Sequence, residues 1–214
     1  IERDSKKFNH IGPFLMNYTT KKEKYFQNAE KANQVFKKIF SNVENPVNKI
    51  KTTISKIFPD YKISGIRENQ RNYALCTIRR HENGKSIPLH KDNVSYEGVE
   101  YEVSKINTQL SCILHLQETE KGGNLSIYNK RWKKKLEKYR EIEFGYNSNI
   151  KKKSLSDTIE TKLGDLVIIN PNYLHEVKEI QGISDRVTLG MFFGIENKTK
   201  KIFFWAWYSS KYSK

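Results

Sequence analysis

Between Tyr25 and Phe40 the apolar residues Tyr25, Phe26, Ala29, Ala32, Val35, Phe36, Ile39 and Phe40 recur at three- and four-residue intervals. That is the rhythm of one helix face, and Thr20-Lys21-Lys22-Glu23 ahead of it has the spacing of a capping box. A second helix is expected just after Pro46, with Val47, Ile50, Ile54, Ile57 and Phe58 on one face, ending before Pro59-Asp60. From about Tyr61 onward the period shortens to two. Residues 73–78, 110–116, 125–128, 158–163, 166–169, 175–180 and 187–195 read as short strands, punctuated by Gly84, Gly98, Gly122-Gly123, Gly164, Gly182 and Gly194. One helix-like interruption, with Trp132, Leu136 and Tyr139 on one side and Lys133, Lys134, Lys135 and Lys138 on the other, falls where a lid or surface insert would lie. Many short strands without a βαβ rhythm predict a mainly-β fold, a sandwich or jelly-roll barrel, flanked by N-terminal α-helices packed on one sheet.

Composition agrees with a folded domain: 214 residues, 36% apolar and 12% aromatic, rule out the low-hydrophobicity signature of disorder. The net charge of +15 invites a nucleic-acid or anionic-surface partner. The lysines, however, are scattered through the whole chain, which reads as a solvated exterior. Cys76 and Cys112 lie in strand-like apolar stretches and read as buried thiols in the cytoplasm or another reducing compartment. No apolar run approaches the ~20 residues of a membrane helix, and no signal-peptide pattern is visible. The first residue is Ile, so targeting stays open, as does oligomeric state.

Five histidines are available for chemistry. In His90-Lys91-Asp92 an extended backbone points the imidazole and the carboxylate to the same face, where one metal ion can touch both. The pattern alone is weak, since a surface turn gives it too. His175, 85 residues downstream behind the segment 164–171, supplies a second imidazole. Two His and one carboxylate make the facial set that leaves iron with open positions, whereas a structural zinc site calls for four closed ligands. Arg186 opens an otherwise apolar strand, with Thr188 two residues on. A buried guanidinium needs an anion, and a fork beside a hydroxyl suits a carboxylate. The bland alternative is a surface pair between Arg186 and Asp185 or Glu176.

Taken in order, Arg80, Gly84-x-x-Ile87-x-x-His90-x-Asp92-Asn93, the segment 111–116, Gly122-Gly123-Asn124, Gly164-Asp165, Pro171, His175-Glu176-Val177 and Arg186-x-Thr188 resemble the Fe(II)/2-oxoglutarate-dependent oxygenases. The likeness is to the prolyl-hydroxylase-like branch and to the small-molecule group of free amino acid hydroxylases and halogenases. It implies a double-stranded β-helix (jelly roll, cupin-like) over 73–195, with 1–72 as helical support and 196–214 as an aromatic tail, all one structural domain. It implies iron on His90, Asp92 and His175, and 2-oxoglutarate on Arg186 and Thr188, with dioxygen as co-substrate. His115, where the family often has Tyr, is a further candidate for the co-substrate carboxylate, or a satisfied core histidine. Arg80 replaces a common Tyr, which counts against a prolyl-peptide substrate.

The leading expectation is hydroxylation of an unactivated C–H bond in a small polar metabolite, foremost a free amino acid. Arg80, Asn93, Trp132 and Trp205 of the tail 203–208 are candidate substrate contacts. A protein hydroxylase acting on an extended peptide is the alternative. Related halogenases replace the carboxylate ligand by a small residue, and Asp92 retains it. Nucleic-acid demethylases carry a second Arg where Phe192 stands. A cupin-like binding module without turnover is disfavoured by the intact triad and clamp.

Overall fold

The computed structural model describes residues 9–106, 108–142 and 144–206. Helix α1 (Lys22–Ile39) buries Tyr25, Phe26, Ala29, Ala32 and Phe36, while Val35 and Ile39 fall off the seam and are exposed. Its N-cap is Lys21 without a side-chain cap, so the expected capping box does not form; Glu23 in the first turn and Lys37 and Lys38 in the last complement the helix dipole instead. Helix α2 (Pro46–Ile57) starts as expected, with Asn45 Oδ1 accepting from the Val47 amide and Pro46 at the first helical position. Its Val47, Ile50 and Ile54 are buried, and Ile57 is exposed.

Eleven strands build the two main sheets: β1 (Asn9–Ile11), β2 (Lys62–Gly65), β3 (Thr77–His81), β4 (Ile87–His90), β5 (Thr108–Gln117), β6 (Leu125–Arg131), β7 (Ser156–Ile159), β8 (Leu166–Ile169), β9 (Tyr173–Val177), β10 (Arg186–Glu196) and β11 (Lys201–Trp205). In the larger sheet β10 is central, flanked along its length by β5 and on the other side by β3 and then β11. β1 extends β3, β8 extends β5, and β2 adds parallel to β11. The smaller sheet runs β7-β6-β9-β4. The result is the mainly-β jelly roll expected, with one difference at its edges. The segment taken as an aromatic tail supplies β11, and residues 62–65, placed with the helical support, supply β2, because Phe204 and Ile202 bury into the sheet's own core. Residues 207–208 of the tail lie outside the described residues.

Both helices cover one face of the larger sheet. Ala32, Phe36, Val47, Ile50 and Ile54 pack against Cys76, Cys112, Leu189, Met191, Phe193, Ile202 and Phe204, each large apolar side chain there worth ~1.5–3 kcal/mol of burial. Cys76 and Cys112 are free and buried, as expected. With Leu189, Met191 and Phe193 turned to the helices, strand alternation turns Arg186, Thr188 and Gly190 to the opposite face, toward the barrel interior. The expected insert is a 3-10 turn, Lys134–Tyr139, followed by a short hairpin of Arg140–Ile142 and Gly145–Tyr146.

Candidate metal and co-substrate site

The metal end sits on the smaller sheet. β4 and β9 are antiparallel neighbours with His90 opposite His175, and the two imidazole rings lie 4.1 Å apart between centroids. Asp92 follows β4 by two residues, and its amide donates to the Pro171 carbonyl at 2.9 Å, tying the carboxylate to the turn that leads into β9. Asp92 Oδ2 comes within 3.9 Å of His90 Nε2 and 3.6 Å of His175 Nε2. One donor atom from each residue lies within 4.8 Å of the others, and all three residues are buried.

Both rings are oriented by backbone: His90 Nδ1 donates to the Pro88 carbonyl and His175 Nδ1 to the Tyr173 carbonyl, each at 2.8 Å. That orients both rings and turns both Nε2 atoms toward Asp92. Burial and the neighbouring His175 imidazole push His90 down to about 3, so it is neutral near pH 7. Burial would raise the Asp92 carboxyl, but His175 and His90 hold it below the usual carboxylate range. Asp92 Oδ1 is buried with no hydrogen-bond partner among the described residues. Two imidazole nitrogens and an under-satisfied carboxylate, converging at buried residues, fit a divalent metal with N/O preference and would leave it coordination positions free.

The second end lies on the larger sheet. Arg186 pairs in register with His81, while Thr188 pairs with Arg79 on one side and His115 on the other, so all five side chains share the interior face. Each is buried. Arg186 Nε and Thr188 Oγ1 have no hydrogen-bond partner among the described residues. Burial and the Arg79 guanidinium push Arg186 down to about 10, with Glu118 opposing, and it remains a cation at neutral pH. Burial and the same two guanidinium groups push His115 down to about 4. Its Nδ1 meets Glu118 Oε1 and Thr161 Oγ1. Gly123, at φ +68°, lets the Arg186 stem pass: a Cβ there would sit 3.0 Å from Arg186 Cδ.

The candidates nominated from sequence separate clearly. His90, Asp92 and His175 converge, and Arg186, Thr188 and His115 share one wall. Arg80 does not join them: it stands on the outer face of β3, about half exposed, bonded to Asp185 Oδ2 at 2.5 Å. The inward residue is its neighbour Arg79, because β3 alternates Thr77, Arg79 and His81 inward. The only sequence signal for this was the phase of a strand whose end had been placed at residue 78. Trp205 is fully buried in the aromatic core with Phe192, Tyr25 and Tyr73, which is packing and not a substrate wall. Asn93 caps the short helix Val94–Glu97 and bonds Asn172, and the Trp132 amide donates to the same Asn172.

A site short of a dication at one end and of an anion at the other, enclosed by a jelly roll, belongs to an Fe(II)/2-oxoglutarate-dependent oxygenase, and the chain is an enzyme of that class. Within the class, residues 2–206 match the model of the carrier-protein-independent halogenase WelO5, and the chain belongs to that family. It is 27% identical over 181 residues to the "Leucinostatins biosynthesis cluster protein S" of Purpureocillium lilacinum, covering 81% of this chain and 73% of the relative. Its fold is similar to that of an N-substituted L-amino acid dioxygenase from Burkholderia ambifaria AMMD in complex with alpha-KG, at TM-score 0.63 and 18% identity, covering 90% of this chain and 76% of that one. A second structure of that dioxygenase gives TM-score 0.62, 19% identity and coverage of 88% and 74%.

No helix among the described residues is long and apolar enough to cross a membrane.

Proposed function

We propose that the chain hydroxylates an unactivated C–H bond of a small polar metabolite, foremost an amino acid, with His90, Asp92 and His175 holding Fe(II) and Arg186, Thr188 and His115 holding the distal carboxylate of 2-oxoglutarate. The observation that carries hydroxylation over halogenation is the Asp92 carboxylate, whose oxygen lies 3.6–3.9 Å from the two Nε2 atoms. As a third protein ligand it would take the position that a halide needs. Iron with 2-oxoglutarate and dioxygen supplies the oxidation itself. The chain's own residues do the positioning: Pro88 and Tyr173 carbonyls aim the imidazoles, Arg186 and Thr188 offer donors to an anion, and burial keeps water out.

The amino acid reading draws support from the name of the Burkholderia ambifaria dioxygenase and from the biosynthetic setting in the name of the fungal relative. The exposed, Asp185-bound position of Arg80 removes one residue from the proposed substrate contacts. The test incubates the protein with Fe(II), 2-oxoglutarate and a panel of free and N-substituted amino acids and short peptides, with and without chloride, followed by mass spectrometry. The expected result is succinate release coupled to addition of one oxygen to an amino acid. A chlorinated main product overturns the hydroxylase reading, and turnover confined to peptides overturns the substrate class.

A further inference from the structure

Lys91, between the two ligands of His90-Lys91-Asp92, is the most unexpected buried group in the fold. Alternation turns its side chain away from the metal end, yet it is not solvated: its relative exposure is 1%. The ammonium pairs with Glu97 Oε1 and lies 5.2 Å from the centre of the Tyr96 ring and 4.8 Å from that of Trp132. Glu97 belongs to the short helix that follows Asp92, and its Oε1 also accepts from Arg140 Nη2 at 2.7 Å. Arg140 in turn lies 3.5 Å from Glu137 Oε2, and Glu137 accepts from Trp132 Nε1 at 2.8 Å and from the Tyr146 hydroxyl.

Two cations and two carboxylates therefore join the residue between the metal ligands to the insert formed by residues 132–146. Burying the Lys91–Glu97 pair carries a desolvation cost for each ion and gives little net stability over an apolar equivalent, while Arg140 and Glu137 stay partly exposed. Its consequence is geometric. The Asp92 backbone is held on one side by Pro171 and on the other by a lysine that is locked between two rings and a carboxylate.

We infer that Lys91 is a positioning residue for the metal centre, and that the insert, through Glu97, Arg140 and Trp132, is the clamp that holds Lys91 and so aims Asp92. This rests on the metal assignment above. Groups that orient metal ligands from behind change metal affinity 10- to 100-fold when removed, and Lys91→Met keeps the buried stem while deleting the charge.

The test titrates the iron-free protein with Co(II) and follows the d–d absorption, in wild type, Lys91→Met, Glu97→Gln and the paired Lys91→Met/Glu97→Met variant. The expected result is Co(II) binding at least 10-fold weaker in Lys91→Met with an altered d–d band, at a temperature where circular dichroism shows the fold intact. The paired variant, which leaves no unpaired carboxylate on the Lys91 side, should regain thermal stability without regaining the wild-type affinity or band. Should Lys91→Met not fold, Glu97→Gln carries the same expectation. Wild-type affinity and an unchanged band in the folded variants would overturn the positioning role alone. A wild type that takes up no Co(II) would overturn the metal assignment, and this inference with it.

Discussion

The two ends of the site are built with opposite deficits. At the metal end, on the smaller sheet, the chain presents two imidazoles, of which His90 is neutral, and a carboxylate whose Oδ1 has no hydrogen-bond partner among the described residues. At the other end, on the larger sheet, it gathers Arg79 and Arg186, which after burial itself depress the basicity of His81 and His115, with Glu118 as the opposing charge on Arg186, so positive charge is in excess there. Arg79 connects them, since its charge also acts on His90. Neither deficit is tolerable in a folded interior for its own sake. Under the proposed function, the first deficit would be met by a divalent metal and the second by a carboxylate of the co-substrate.

The largest expected effect comes from the metal end. Asp92→Ala and His175→Ala should each lower turnover by at least about 10³-fold and abolish tight Co(II) binding while the circular dichroism spectrum stays that of the wild type. Retention of full activity by either would reverse the assignment of that end. Arg186→Ala should leave Co(II) affinity unchanged and raise the 2-oxoglutarate requirement on the order of 10²-fold, the 2–5 kcal/mol expected for truncating one partner of a buried charge pair. If metal binding fell and the co-substrate requirement did not, the two ends would not be separable as described.

A subtler variant tests Arg79. A Cβ at residue 190 would lie 2.1 Å from Arg79 Nη2, so Gly190→Ala must push the guanidinium aside. Because the obstacle is the end of a flexible side chain, the fold should survive and the 2-oxoglutarate requirement should rise about 10-fold. An unchanged requirement, measured from initial rates, would show that Arg79 does not contribute to the clamp.

The smallest effect is one of pH. His115 is held near 4 in the fold, first by burial and then by Arg186 and Arg79, against 6.5 for the ordinary imidazole. Between these values the unfolded chain binds a proton that the folded chain refuses. The contribution is therefore fully present above about pH 6.5 and is lost as pH falls toward 4. Melting temperatures of iron-free wild type and His115→Gln should diverge at neutral pH and converge on acidification; parallel curves would show that His115 titrates normally.

Much of this was legible in the chain because its signals are local or ordered. The 3.6 period of α1, the Pro46 start of α2 and the His-x-Asp spacing each follow from a few adjacent residues. The unread parts depend on strand phase and on distant partners. Near Arg79 and Arg80 only the phase of the preceding strand bears on which points inward; the pairing of Arg186 with His81 decides it. Nothing in His-Lys-Asp marks the lysine as buried, because Glu97, Trp132 and Arg140 come from two other segments. The aromatic tail looked separable because one of its two strand partners, Lys62–Gly65, lies far away in sequence, although β10 pairs with it across a short turn.

The sequence by itself thus determined the class of fold and nominated His90, Asp92, His175 and Arg186 as a candidate site, since motif order and spacing are legible when two candidate donors share one extended segment and the others head strands of their own. Tertiary structure alone decided which arginine of the pair faces the cavity, which tryptophan is core and where Lys91 hides its charge. Those outcomes depend on register between strands and on burial by remote side chains, and a period of two says that residues alternate but not which set is inside.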